Sequence, residues 1–248
     1  MIDISNVRIA GFVPAVKGVR NSFQSYDKSD TNFDDSSVLE AYKMHSDNII
    51  DGLNEDYDDE DLEFTIYDHI CIGENDKKLM SKLVKAGEPH CKFRRMIQVW
   101  CDINAPLFWW KQYDTYKVGT VANSESTMHN ICDKEFTYED FGIDLKYVNN
   151  EELCTHWYDT IYILNRMRNS YLEAKAKNNH EQAALIQRWM YELLPSAYMQ
   201  KRTVNLNYSV LAAIYKQRKY HKLNEWLDFC GWIESLPEGW IIIGRTEE

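Results

Sequence analysis

The stretch GEPHCKFRRMIQVWCDINAPLFWWKQYDTYKVGTVANSESTM, residues 87–128, decides the architecture. Gly87 stops the helix predicted over GENDKKLMSKLVKAG, whose apolar stripe is Leu79, Met80, Leu83 and Val84 and whose cap is Asn75 or Asp76. From Lys92 to Ile103 the residues Ile97, Val99, Cys101 and Ile103 recur at period two, which predicts a strand. Asn104 followed by Pro106 pairs an N-cap with a first-turn proline and predicts the helix APLFWWKQYDTY. KVGTVANSESTM is polar, small and glycine-containing, and reads as a loop.

Working outward, NVRIAGFVPA (Asn6–Ala15) reads as a strand, followed by a short helical turn and a polar loop. A helix is expected over Asp35–Leu53 and a short extended segment over Leu62–Ile72. The C-terminal third is helical. Asn150–Lys177 spaces Leu153, Trp157, Ile161, Leu164, Met167 and Tyr171 by three and four, and His180–Leu194 ends before Pro195. Ala197–Leu206 is extended, and helices follow over Tyr208–Lys219 and His221–Glu234. The class is α+β: a small mixed or antiparallel sheet with packed helices and a helical C-terminal half.

Composition excludes several classes. Of 248 residues, 44% are hydrophobic and 13% aromatic, too many for a disordered chain. Only 10 glycines and 5 prolines argue against a many-turned all-β protein. No apolar run is long enough for a membrane span, and MIDISNVRIAG lacks the pattern of a secretory signal, so a cytoplasmic protein is expected. The net charge of −11 falls almost wholly on residues 1–63, which hold 5 basic and 15 acidic side chains. EDYDDEDLE, residues 55–63, reads as a solvated insertion, and the overall balance disfavours duplex nucleic acid. The six cysteines show no C-x-x-C pair and the seven histidines no H-x-x-x-H pair, so no metal site is expected from local sequence. Nucleophile-elbow, P-loop and dinucleotide-binding motifs are also lacking.

What carries chemistry is an order of segments. A capped helix ends at Gly87 near His90. A strand follows, then a helix ending at Gln112, then a polar loop with Lys117, Thr120, Asn123, Ser124, Glu125 and Ser126. Leu194-Pro195, Asn205, Asn207 and Arg218 come late. This order resembles that of the flavin-dependent thymidylate synthases, over roughly residues 5–230. Their Gln-x-x-Arg-His-Arg block falls on Gln112 and Thr115-Tyr116-Lys117, so only the last position keeps its cation. The late substrate-facing arginine falls on Tyr208 or Ser209, and Arg188 lies about one turn before the arginine expected ahead of Leu-Pro.

The resemblance implies FAD as cofactor, methylene-tetrahydrofolate and NADPH as co-substrates, dUMP as substrate and a homotetramer. It implies one thymidylate synthase complementing-type domain over 1–248, with an acidic insertion at about 30–63. Carried over by position, Gln112, Lys117, Glu125 and Ser126 are the catalytic candidates. His90, Thr115, Tyr116, Lys117, Thr120, Asn123, Asn205 and Asn207 would hold the cofactor. Gln112, Ser124, Ser126, Ser209 and Arg188 would meet the nucleotide. Trp109, Trp110, Tyr113 and Tyr116 would line a subunit interface, although a Trp-Trp pair is more often core. Lys92, Arg94, Arg95, Lys111, Lys201 and Arg202 are available to replace the missing cations, and Arg20 with Ser22 and Ser25 could meet a phosphate. The lost cations also leave room for a relative that modifies another pyrimidine or serves a structural or interaction role.

Overall fold

The structure is a computed structural model that describes residues 2–31, 66–67, 72–143 and 150–244. The acidic stretch 55–63 and the helix expected over Asp35–Leu53 lie outside the described residues. The strands are β1 (Asp3–Ala10), β2 (Ile66–Tyr67), β3 (Gln98–Pro106), β4 (Val121–Ser124) and β5 (Met199–Asn207). The helices are α1 (Phe12–Asn21), α2 (Glu74–Ala86), α3 (Leu107–Tyr113), α4 (Thr127–Asn130), α5 (Glu151–Ala176), α6 (His180–Leu193), α7 (Tyr208–Arg218), α8 (Asn224–Ser235) and α9 (Trp240–Ile243). The class is α+β, as expected.

The chain forms two compact units. The first comprises Met1–Asp3, Ile103–Thr115 and Ala122–Thr203; the second comprises Ile4–Asp102, Tyr116–Val121 and Val204–Glu248. Strands β3 and β5 run through both. The strand order reads β2-β1-β3-β5 in the second unit and β3-β5-β4 in the first. The four longer strands are antiparallel, and β2 adds to β1 in parallel, with Arg8 opposite Ile66 and Ile9 opposite Tyr67.

In the second unit the strand expected to run to Ala15 ends at Ala10. Gly11 takes φ 106° and ψ 8°, a left-handed conformation that ends an extended chain. α1 starts at once, with Pro14 in its first turn, where a missing N–H costs nothing. It buries Phe12, Ala15, Val16 and Val19 on one face. The expected cap of α2 is also corrected. Neither Asn75 nor Asp76 caps it; the N-cap is Gly73, and the Asp30 carboxylate accepts from Asn75 N at 2.9 Å and Asp76 N at 3.3 Å. Gly87 ends α2 with φ 99°, as expected.

The predicted strand 92–103 is displaced. Lys92–Arg95 form a 3-10 turn and β3 starts at Gln98, burying Val99, Cys101 and Ile103 in alternation. β3 continues through Pro106, so Asn104 is not a cap. The amides of Leu107 and Phe108 donate to Tyr198 O (3.0 Å) and Ser196 O (2.9 Å), which satisfies the start of α3 without a capping side chain. The stretch read as a loop contains β4 and the start of α4; Glu125 N donates to Lys201 O at 2.9 Å and carries the β4 ladder onto β5.

The α5–α6 hairpin of the first unit matches its expected bounds within a residue. Asn150 caps α5 by accepting from Glu152 N (2.9 Å) and Leu153 N (3.3 Å), and Asn179 caps α6 through Gln182 N (3.1 Å). Its core joins Ile161, Leu164, Ala183, Ile186 and Met190 to Ile131, Phe136 and Phe141.

Candidate functional site

In the second unit a 3-10 turn at Glu88–His90, set by Pro89, leaves His90 exposed on the wall of a cleft of about 370 Å³. Val19, Phe93 and Met96 give this cleft apolar walls, while Ser22, His90 and Lys92 bring polar groups to it. Phe23, 58% exposed, and Met96, 42% exposed, were not singled out from the sequence. They are joined here by the packing of α1 on the turn 92–95, which local pattern does not announce.

The Tyr116–Val121 segment of the same unit carries Lys117, exposed, and Thr120, whose hydroxyl donates to the Tyr116 carbonyl. The Tyr116 hydroxyl accepts from Arg218 Nε at 2.9 Å and donates to Gln217 Oε1 at 3.0 Å. Asn205 donates to Val99 O at 3.1 Å and thereby braces β5 against β3. Asn207, 9% exposed, caps α7 by accepting from the amides of Ser209 and Val210, each at 3.1 Å. These contacts occupy at least one polar group of Tyr116, Asn205 and Asn207 in holding the unit together.

In the first unit Gln112 is half-buried near the end of α3, and its carbonyl accepts the Thr115 hydroxyl at 2.7 Å. Asn123 and Ser124 lie exposed on β4. Glu125 is held at both backbone polar groups, its amide on Lys201 O and its carbonyl accepting Gln200 Nε2 at 3.1 Å. Ser126 is the N-cap position of α4, where its carbonyl accepts from His129 N and Asn130 N, each at 3.1 Å. Gln200 also donates to Thr127 Oγ1 at 3.2 Å, and Gln187 Nε2 to Met128 O at 2.8 Å. Gln200 and Gln187 thus anchor the 125–128 loop from sequence positions 59 to 75 residues away, with no local signal to mark them. Arg188 projects from α6 and pairs with Glu192 at 2.9 Å, with 76% of its side chain exposed.

Several cations have structural employment. Arg20 is not in a polar loop: it lies buried at the end of α1 and donates to Asp76 Oδ1 at 2.6 Å, so it is no phosphate ligand. Arg94 is buried against Ile241 O (2.8 Å from Nε) and Glu88 (2.6 Å), which anchors α9. Arg202 lies 4.2 Å from the Trp110 ring centre and pairs with Asp114 at 2.8 Å. Of the six proposed replacement cations, Lys92, Arg95, Lys111 and Lys201 are exposed. Trp109, Trp110 and Tyr113, expected at a subunit interface, are 0%, 1% and 2% exposed and pack on one another at 4.9–5.2 Å inside the first unit. Burial raises the Cys101 thiol to about 12, with Asp102 adding to the effect, and raises Cys230 to about 11, so neither is a ready nucleophile. Among the described residues no helix is long and apolar enough to cross a membrane.

No protein-family model matches this chain, and no curated protein matches it in sequence. Solved structures do match it in shape. The flavin-dependent thymidylate synthase ThyX from Helicobacter pylori, solved with FAD and dUMP, superposes with a TM-score of 0.61 at 12% identity. That match covers 99% of this chain and 100% of the other. A second structure of ThyX from Helicobacter pylori, also with FAD and dUMP, gives a TM-score of 0.60 at 12% identity over 99% and 98% of the two chains. The likeness is one of fold, and it is nearly end to end: this chain has a ThyX-like fold.

Proposed function

We propose that the protein is a flavin-dependent thymidylate synthase-like enzyme that binds FAD and dUMP. In this reading dUMP is methylated to dTMP, with the carbon taken from methylene-tetrahydrofolate and the reducing equivalents from NADPH. The observation that carries the reading is the near-complete match in fold to a protein solved with FAD and dUMP. The cleft at His90 supports it, since apolar walls from Val19, Phe93 and Met96 suit a flat ring and the polar groups of Ser22, His90 and Lys92 suit its carbonyls or an attached phosphate. FAD, when bound, supplies hydride chemistry.

The chain's own residues bind and orient. In the second unit His90 and Lys117 donate hydrogen bonds to the cofactor and Thr120, its proton held by the Tyr116 carbonyl, accepts one at its hydroxyl oxygen, with Tyr116, Asn205 and Asn207 as further cofactor candidates. Thr115 and Asn123 are the cofactor candidates of the first unit. The Gln112 carboxamide matches a uracil edge, because it offers a donor and an acceptor side by side. Ser124, Ser126, Ser209 and Arg188 meet the nucleotide. In the second unit Lys117 is the candidate that stabilises negative charge developing on a uracil carbonyl. Glu125 and Ser126 are the further catalytic candidates, in the first unit. No protein nucleophile is needed, in keeping with the raised thiols. In this reading the two units make up one thymidylate synthase complementing-type domain of a cytoplasmic protein.

The homotetramer belongs to the same reading. Its support is an apolar face on the α5–α6 hairpin, where Ile163, Leu185 and Trp189 are 50%, 46% and 47% exposed and line, with Met167, a groove of about 440 Å³. Trp189→Asp is expected to lower the mass in sedimentation equilibrium while far-ultraviolet circular dichroism stays unchanged. An unchanged mass would remove this face from the assembly.

A second reading is a relative that binds flavin or nucleotide for another pyrimidine modification, or that serves a structural or interaction role. The commitment of Arg94 and Arg202 to partners within the protein favours it. Each missing charge-assisted contact to a phosphate weakens binding by about 1.5–3 kcal/mol. One assay separates the readings: release of tritium from C5 of labelled dUMP with methylene-tetrahydrofolate, NADPH and FAD. Release supports thymidylate synthesis. Retention of tritium by a protein that binds FAD supports another modification. Failure to take up either FAD or dUMP supports the structural role.

A further inference from the structure

The loop that carries Lys117 and Thr120 is tied to α7 and α8 through one guanidinium. Arg218, the last residue of α7, donates from Nε to the Tyr116 hydroxyl at 2.9 Å. Its guanidinium carbon lies 4.6 Å from the Trp226 ring centre and 5.6 Å from that of Tyr116. The Tyr116 and Trp226 rings meet edge to face at 6.1 Å. The Tyr116 hydroxyl donates to Gln217 Oε1 at 3.0 Å, and the Tyr116 carbonyl accepts from the Thr120 hydroxyl, which closes the turn. Gly119, at φ 77°, lets the turn approach α7, since a Cβ there would stand 3.1 Å from Asn207 Nδ2 and 3.2 Å from Val210 Cγ2. All of these contacts lie within the second unit.

We infer that Arg218 is a positioning residue: held on Trp226, it fixes Tyr116 and thereby sets where Lys117 and Thr120 are presented to a ligand. A planar guanidinium can stack on an indole and donate in its own plane at once, which an ammonium cannot. Val118 is exposed, so the Tyr116 contact at one end and the approach of Gly119 to α7 at the other decide where the turn lies. Tyr116, which stands at the histidine of the Arg-His-Arg pattern, then has a physical use, because its hydroxyl accepts from Arg218 Nε where a protonated imidazole could not. The functional half of the inference rests on the flavin-binding reading; the tether itself does not.

The test uses the full chain with Tyr116→Phe, Arg218→Lys and the double substitution. Hydrogen exchange without ligand is expected to speed up about tenfold at the amides of 117–121 in each single variant, with no further rise in the double and no change in β1 or α8. FAD affinity, read by flavin fluorescence, is expected to fall in both single variants by a similar factor, again without further loss in the double. Unchanged exchange at 117–121 in Tyr116→Phe overturns the tether. Faster exchange spread through α7 and α8 makes Arg218 merely structural and overturns it too. Local loosening with FAD affinity unchanged overturns the presentation of Lys117 and Thr120. A wild-type chain that takes up no FAD defeats the flavin reading alone, while the exchange measurement still decides the tether.

Discussion

Asp76→Ala is expected to lower folding stability by about 3–5 kcal/mol at neutral pH, measured by urea denaturation. Asp76 is 1% exposed and accepts from Arg20 Nε at 2.6 Å, Ser29 Oγ at 2.6 Å and Thr31 Oγ1 at 2.5 Å. Removing the carboxylate leaves Arg20, itself 6% exposed, as a buried cation without its counter-ion. Breaking one side of such a pair costs more than the pair contributes, because the surviving charge stays desolvated. The loss extends to the chain entering α2, since Thr31 Oγ1 also accepts from Gly73 N at 3.0 Å. Asp76→Asn keeps the shape and should lose less. A loss below about 1 kcal/mol for the alanine variant would show that Arg20 finds water or another partner.

The same network has a pH signature. Burial pushes the Asp76 carboxyl up, but hydrogen bonds from Ser29, Thr31 and Arg20, with the Arg20 charge, outweigh it and hold the group below its ordinary 3.8. The unfolded chain therefore takes up this proton at higher pH than the folded one does. The stabilisation is fully present above the unfolded value and is lost as pH falls through the lower folded value. Denaturation midpoints of the wild type should drop in that acidic window by more than those of Asp76→Ala.

Gly11→Ala is the second large effect, expected to cost about 2–5 kcal/mol from backbone strain and overlap together. A Cβ at Gly11 would stand 2.1 Å from Met96 O, a backbone atom that leads directly into β3, and the residue sits at φ 106°. Neither the carbonyl nor Ile97, 0% exposed, can retreat without moving the core of the second unit. The same urea titration reads the loss. A midpoint within error of the wild type would mean that β1 and α1 re-register around the new methyl.

These two sites mark where local reading stops. The α5–α6 hairpin was legible because its evidence is short-ranged: apolar spacing of three and four along Asn150–Lys177, and Pro195 just beyond His180–Leu194. The alternation from Ile97 to Ile103 locates β3 for the same reason, but a strand expected from Lys92 overruns Lys92–Arg95, because a 3-10 turn carries no period of its own. The segment order that points to the thymidylate synthases was also readable, and the solved ThyX structures agree with it in fold at 12% identity. Individual site residues were harder. His90 reaches a cleft, whereas Arg20, Arg94 and Arg202, alike in sequence as free cations, are each spent inside the protein.

From its amino acids alone, then, this chain declares an α+β class, its long helices and the order of its segments, since each depends on neighbours within a few residues. Folding in three dimensions decided the rest. Asp30 caps α2 from 45 residues upstream, Met96 compels a glycine at position 11, and Arg218 meets Tyr116 across 102 residues. No periodicity records such pairs, because the hydrogen bond or the overlap exists only once the distant backbones have been brought together.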